Sequence, residues 1–175
     1  ETVGSIAGSG TIFTQSASGG IVLTMGGDNS STTFSGNLSM GQTGLGYIKT
    51  GTGTLTLSGT STFTNFSALV GIDINGGVVS LGSSAALGNM LGSAYIGFGG
   101  GTLQYSASNT TDYSGKFKSS PAQSFSIDTN GQDVTFASAL GGASSTLTKL
   151  GAGKLTLSNV NTFGGTTTIS AGTLA

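Results

Sequence analysis

Few side chains in this 175-residue chain could do acid–base or metal chemistry. They are six acids, Glu1, Asp28, Asp73, Asp112, Asp128 and Asp133, and five lysines, with no Arg, His, Cys or Trp. Imidazole and thiolate metal sites, His-based triads, Cys nucleophiles and disulfides are therefore excluded by composition. Hydrolysis or lysis of polysaccharides needs a carboxylate pair, or a cation-bridging cluster with a base, on one face. The only basic cluster is Lys116 and Lys118 near Asp112. Asp128-Thr129-Asn130-Gly131-Gln132-Asp133 spaces oxygen ligands like the start of a calcium loop, yet it lacks the closing bidentate Glu. A turn in which Asp and Asn bond their own backbone explains the spacing equally well and is the preferred reading. The expectation is no enzyme and no catalytic, cofactor-binding or metal-binding residue.

Two further patterns have surface readings. Thr50, Thr52, Thr54 and Thr56 read as a one-faced row of the kind an ice-binding solenoid presents. The matching segment 100 residues on has Leu150, Ala152, Lys154 and Thr156, so the lattice is expected to fail. Tyr47, Tyr95, Tyr105 and Tyr113, with Phe13, Phe66 and Phe117, could line a carbohydrate or protein surface; stacking inside the fold is the preferred reading, and no binding residues are assigned.

These residues must be positioned by short strands. Gly, Ser and Thr make up about half the chain, but Ile, Val, Leu and Phe still exceed the roughly one-fifth below which disorder is favoured. Helical periodicity is interrupted throughout by Gly or β-branched residues. Alternation instead places Leu55/Leu57, Ile72/Ile74, Phe125/Ile127 and Leu155/Leu157 on one face each. Turns are marked at Gly26-Gly27-Asp28-Asn29, Asn75-Gly76-Gly77, Gly99-Gly100-Gly101 and Thr129-Asn130-Gly131. The formal net charge is −1 and the five Lys are scattered, which gives no basic footprint for nucleic acid. No apolar run is long enough to span a bilayer as a helix. The chain opens at Glu1 with no Met or signal segment and reads as an excised piece of something longer.

The chain also repeats itself. Lys49 to Phe63 matches Lys149 to Phe163 at nine of 15 positions, and the match continues upstream (Thr33-Phe34 on Thr135-Phe136) and downstream (Gly77 on Gly172). Copy one runs over about 23–81 and copy two over about 125–175, linked by 82–124. Such a repeat of short strands and glycine turns predicts a single elongated all-β domain, a parallel β-helix (β-solenoid) of about eight coils and about 40 Å.

The segments Lys49-Thr50-Gly51-Thr52-Gly53-Thr54-Leu55-Thr56-Leu57-Ser58 and Lys149-Leu150-Gly151-Ala152-Gly153-Lys154-Leu155-Thr156-Leu157-Ser158 resemble the autotransporter-associated β-strand repeat, also called the passenger-associated transport repeat. Copy two is the closer match, running on through Asn161-Thr162-Phe163, Gly164-Gly165-Thr166 and Ala171-Gly172-Thr173-Leu174. Copy one departs after Phe63. The resemblance implies a right-handed β-helix in a passenger of the type V pathway, secreted or displayed on the surface of a Gram-negative bacterium and outer-membrane-associated. There the repeat assists export through a C-terminal β-barrel translocator. This chain shows none of the long alternating strands of such a barrel, so it would be a non-catalytic structural segment, supporting export and stalk-like display, adhesion or self-association. Its partners would be neighbouring passenger coils and the translocator, and unpaired strand edges at both ends would favour head-to-tail stacking. The alternative is a carbohydrate-binding or carbohydrate-processing β-helix.

Overall fold

Strands of two to five residues are too short to hold their own shape, and each here is paired in parallel with the rung before or after it in the chain. The computed structural model describes residues 1–14, 21–40, 46–65, 71–88 and 90–175. Three faces recur along the chain. The first stacks Thr2–Val3, Val22–Met25, Gly46–Lys49, Gly71–Ile74 and Tyr95–Phe98. The second is a seven-stranded sheet of Thr32–Phe34, Thr54–Leu57, Val78–Leu81, Thr102–Gln104, Ser124–Asp128, Thr146–Leu150 and Thr167–Ile169. The third is broken into three pieces: Thr11–Thr14 with Asn37–Met40; Thr64–Asn65 with Leu91–Gly92; and Val134–Phe136 with Lys154–Leu157 and Thr173–Leu174.

The molecule is thus an all-β parallel solenoid, but of about six turns rather than eight. Successive rungs, such as Leu55, Val79, Leu103 and Ile127, lie 24 residues apart. The spacing shortens toward residue 175, to 20 where Leu147 pairs with Thr167 and 19 where Leu155 pairs with Leu174. At ~4.8 Å per rung the stack is about 30 Å long.

Alternation decides what is inside. Leu55, Val79, Leu103 and Ile127 form one buried column, each at most 2% exposed, while Thr54, Val78 and Thr102 point outward beside it. Each such side chain contributes about 1.5–3 kcal/mol by leaving water. A narrow column needs only one or two large residues per strand, which is how a chain half Gly, Ser and Thr fills a core. No helix among the described residues is long and apolar enough to cross a membrane.

The duplication shows in three dimensions as a block displaced by one face. In copy one, the rungs Val22–Met25, Gly46–Lys49 and Gly71–Ile74 lie on the first face, and Thr32–Phe34, Thr54–Leu57 and Val78–Leu81 on the second. In copy two, Ser124–Asp128, Thr146–Leu150 and Thr167–Ile169 continue the second face. The set Val134–Phe136, Lys154–Leu157 and Thr173–Leu174 takes the third. Pairings inside the copies correspond: Phe34 faces Leu57 and Phe136 faces Leu157.

Two buried tyrosines differ in how their hydroxyls are served. Tyr47 donates toward Ser39 O at 2.9 Å and Ile12 O at 3.2 Å. The Tyr105 hydroxyl is buried without a hydrogen-bond partner. Tyr47→Phe is expected to cost about 1 kcal/mol and Tyr105→Phe to be neutral or stabilising, as read from urea midpoints. Burial pushes the Tyr47 hydroxyl up to about 12 and that of Tyr105 well above 10. Both stay neutral in the folded state while the unfolded chain ionises above about pH 10. Their contribution to stability is complete below pH 10 and is lost as pH rises toward 12. An alkaline titration should show tyrosinate absorbance from these residues appearing together with loss of β-sheet circular dichroism, not before it.

Candidate functional site

A feature built twice is a lysine turned into the core. Parity puts it there: Tyr47 and Lys49 share the inward side of their strand, as do Leu147 and Lys149 of theirs, and Lys49 and Lys149 are 1% and 0% exposed. Each chain continues into a Gly-rich turn whose carbonyls gather around the amine. Lys49 Nζ donates to Thr50 O at 2.6 Å and Gly76 O at 3.4 Å. Lys149 Nζ donates to Leu150 O at 2.7 Å, Gly151 O at 2.8 Å and Ala171 O at 3.3 Å. In both cases one acceptor belongs to the next coil, so the ammonium ties adjacent turns together.

Glycine is required where that next coil passes. Gly77 and Gly172 have φ of +62° and +70°, and a Cβ on either would stand 2.8 Å from the lysine Nζ. Burial lowers the pKa of both lysines below the usual 10.5, with Asp28 and Asp128 pulling the other way. Since the unfolded chain then holds more protons, this pair favours folding as pH rises toward 10.5, opposite in sign to the tyrosines.

The aspartates do not converge. Asp28 accepts from Ser30 N at 3.0 Å, which holds its carboxyl below the usual range. Asp112 accepts from Ser114 N and from Ala137 N of the next turn, both at 2.8 Å. Asp128 accepts from Asn130 N and from Gln104 Nε2, again at 2.8 Å. Asp133 accepts from Lys154 N at 2.8 Å. Asp128 and Asp133 thus each brace a turn or a neighbouring coil, and Asn130 and Gly131 carry φ of +48° and +83° between them. Among the described residues no three acids gather as a metal site would need. The sequence cluster of Lys116 and Lys118 with Asp112 also separates. Lys118 reaches Asp73 at 2.7 Å while lying over the Tyr95 ring, 3.7 Å from its centroid, and Lys116 caps Gly92 O at 3.0 Å.

The threonine row is corrected by the fold. Thr50 and Thr52 lie in the turn, where Thr50 Oγ1 donates to Met25 O at 3.2 Å and Thr52 N to Asn29 Oδ1 at 2.9 Å. Only Thr54 and Thr56 are on the strand. The neighbours of Thr54 up the stack are Val78, Thr102, Ser126, Thr148 and Thr168, in adjacent rungs and not 100 residues away. Within that row Thr102 and Ser126 hydroxyls bond each other at 2.8 Å.

Of the aromatics, Tyr47, Tyr105 and Tyr113 are buried, Tyr95 is half-buried, Phe117 is partly buried and Phe13 is 54% exposed. Phe66 lies outside the described residues. The described residues form surface hollows of about 220 Å³ between Ser61, Ala85 and Leu91, and of about 150 Å³ between Asp73, Gly99 and Gln123. In the second, Gln123 is already bonded to Phe98 N at 2.7 Å and Pro121 O at 2.7 Å.

What the geometry defines is a parallel β-solenoid whose repeated site is a lysine-capped turn between coils, a device for joining turns. Residues 48–81 and 147–175, which hold both lysines and both glycines, match the family model of the Passenger-associated-transport-repeat. These two segments are therefore similar to an autotransporter passenger repeat. Neither the curated proteins nor the solved structures compared with it gave a match.

The inward lysines escape a reading of motif chemistry. Their signal was the parity shared with Tyr47 and Leu147, combined with repetition of Lys at both positions. Gly172→Ala and Gly77→Ala are expected to lose about 1–3 kcal/mol each in urea unfolding, because backbone strain acts together with the carbonyls of Gly153 and Gly53 and the amine that crowd the new Cβ. Gly8→Ala, with φ of +96° and nothing within 4 Å of its new Cβ, should cost less than either. Equal losses at all three positions would remove the close approach of the next coil from the explanation.

Proposed function

We propose that this chain is a non-catalytic structural segment of a secreted or surface-displayed passenger, whose stacked turns support export through a β-barrel translocator and then act as a stalk. The observation that carries this reading is the pair of repeat matches lying on the two lysine-capped blocks. Its carboxylates serve as acceptors for turns and neighbouring coils, which fits a mechanical role better than hydrolysis. A chain without Cys carries no disulfide that must form before it threads a pore. Each turn that stacks outside buries a further rung, and in a solenoid such gains pass from neighbour to neighbour. That progression would oppose backsliding. Adhesion or association between rods is the biological setting this role suggests.

Leu155 is 0% exposed and pairs with Val134 on one side and Leu174 on the other. Leu155→Asp in the full-length gene product places a carboxylate in that column, and Leu157→Asp does so beside it. Both are expected to reduce surface display several-fold, measured by surface labelling against total expression, while the outward change Thr156→Asp leaves it unchanged. Undiminished display of both leucine variants would sink the proposal.

A further inference from the structure

The one-face displacement between the copies leaves a thin crossing in the backbone. On the second face, Thr102–Gln104 meets Ser124–Asp128 in register only at Leu103↔Ile127 and Gln104↔Asp128. The ladders on either side have three pairs, between Val78–Leu81 and Thr102–Gln104, and five, between Ser124–Asp128 and Thr146–Leu150. On the first face the crossing shrinks to the single bridge Ile96↔Phe117. On the third, the rung between Leu91–Gly92 and Val134–Phe136 has no strand among the described residues and is joined onward by side chains, Asp112 accepting from Ala137 N and Ser114 Oγ from Ser138 N.

Side chains take over where the ladders thin. Phe117 stands 5.0 Å from Phe98, which precedes the crossing, and 6.0 and 5.2 Å from Phe125 and Phe136, which follow it. Phe98 also meets Phe125 at 5.5 Å. Above this cluster Lys118 passes over Gly97 to reach Asp73, and a Cβ on Gly97 would meet Lys118 Cδ at 3.1 Å. Contacts of this kind are short-ranged, and a solenoid loses two-state behaviour first at its weakest interface.

We infer that residues 105–123 form a joint at which the two blocks of turns, 22–104 and 124–175, open as separate cooperative units, and that Phe117 is the side chain coupling them. The inference stands apart from the export role, since it concerns how the rod comes apart whatever it is used for. The second block has fewer rungs and is the one that opens first.

Hydrogen exchange by mass spectrometry on the intact chain, in mild urea, tests this. In Phe117→Ala, amides of 146–157 are expected to exchange at least tenfold faster than in the parent, while those of 46–57 and 71–81 stay within about twofold. Asp73→Asn, which removes the ion pair without touching the core, should give the same asymmetry at about two- to fivefold. Phe117→Leu should restore most of the protection. If Phe117→Ala does not fold, Asp73→Asn carries the test by the same asymmetry. Acceleration spread equally over both blocks, or absent from both, would overturn the joint.

Discussion

Everything in this molecule depends on parallel pairing in register between consecutive turns. A four-residue strand such as Thr54–Leu57 has no independent stability, and its backbone groups are satisfied only because Thr32–Phe34 lies on one side and Val78–Leu81 on the other. That pairing fixes side-chain columns as well as hydrogen bonds. Once Leu55 faces Val79 and Val79 faces Leu103, apolar parity on one strand forces the same parity on the next. The core is therefore a set of columns, and the sequence can spend half its positions on small residues at the outer face and corners.

The buried lysines follow from the same constraint. A turn between faces leaves carbonyl oxygens pointing into the space where strands bend away from one another, and water there would interrupt the column. An ammonium on a long apolar stem fills the gap with methylenes and supplies donors to oxygens of two successive turns. Burying that charge costs free energy, which is why the pKa falls. The carbonyls around it offset the cost only if the next coil comes close, and Gly77 and Gly172 allow that approach.

Much of this was legible in the residues and some of it was not. Alternation correctly placed Leu55, Leu57, Ile72 and Ile74 inside, because parity is a local property of extended chain. Positive φ at Asn29, Gly77, Asn130 and Gly131 matches the Gly/Asn clusters read as turns. The alignment of Gly77 with Gly172 survives in three dimensions, since both lie against a lysine amine. The number of turns did not follow from composition, because turn length is set by corner and loop geometry on three faces. The threonine row failed for a related reason. Thr50 and Thr52 share parity with Thr54 and Thr56, but a turn at Gly51 and Gly53 breaks the strand, and parity means nothing across a turn.

The displacement of copy two onto the next face shows what a repeat does and does not specify. Its residues determine a two-strand corner, with a lysine on the first strand, glycines in the turn and alternating leucines on the second. Nothing in that unit names which face of the rod receives it, because each rung sees only the rung below. Ser124–Asp128 can therefore settle on Thr102–Gln104, which continues copy one's second strand, and start a new corner there. The intervening residues 105–123 are not a repeat and instead carry Phe117, around which the aromatic cluster gathers. A solenoid assembled this way keeps its columns continuous while its turns change orientation, so one corner motif can be reused anywhere around the rod.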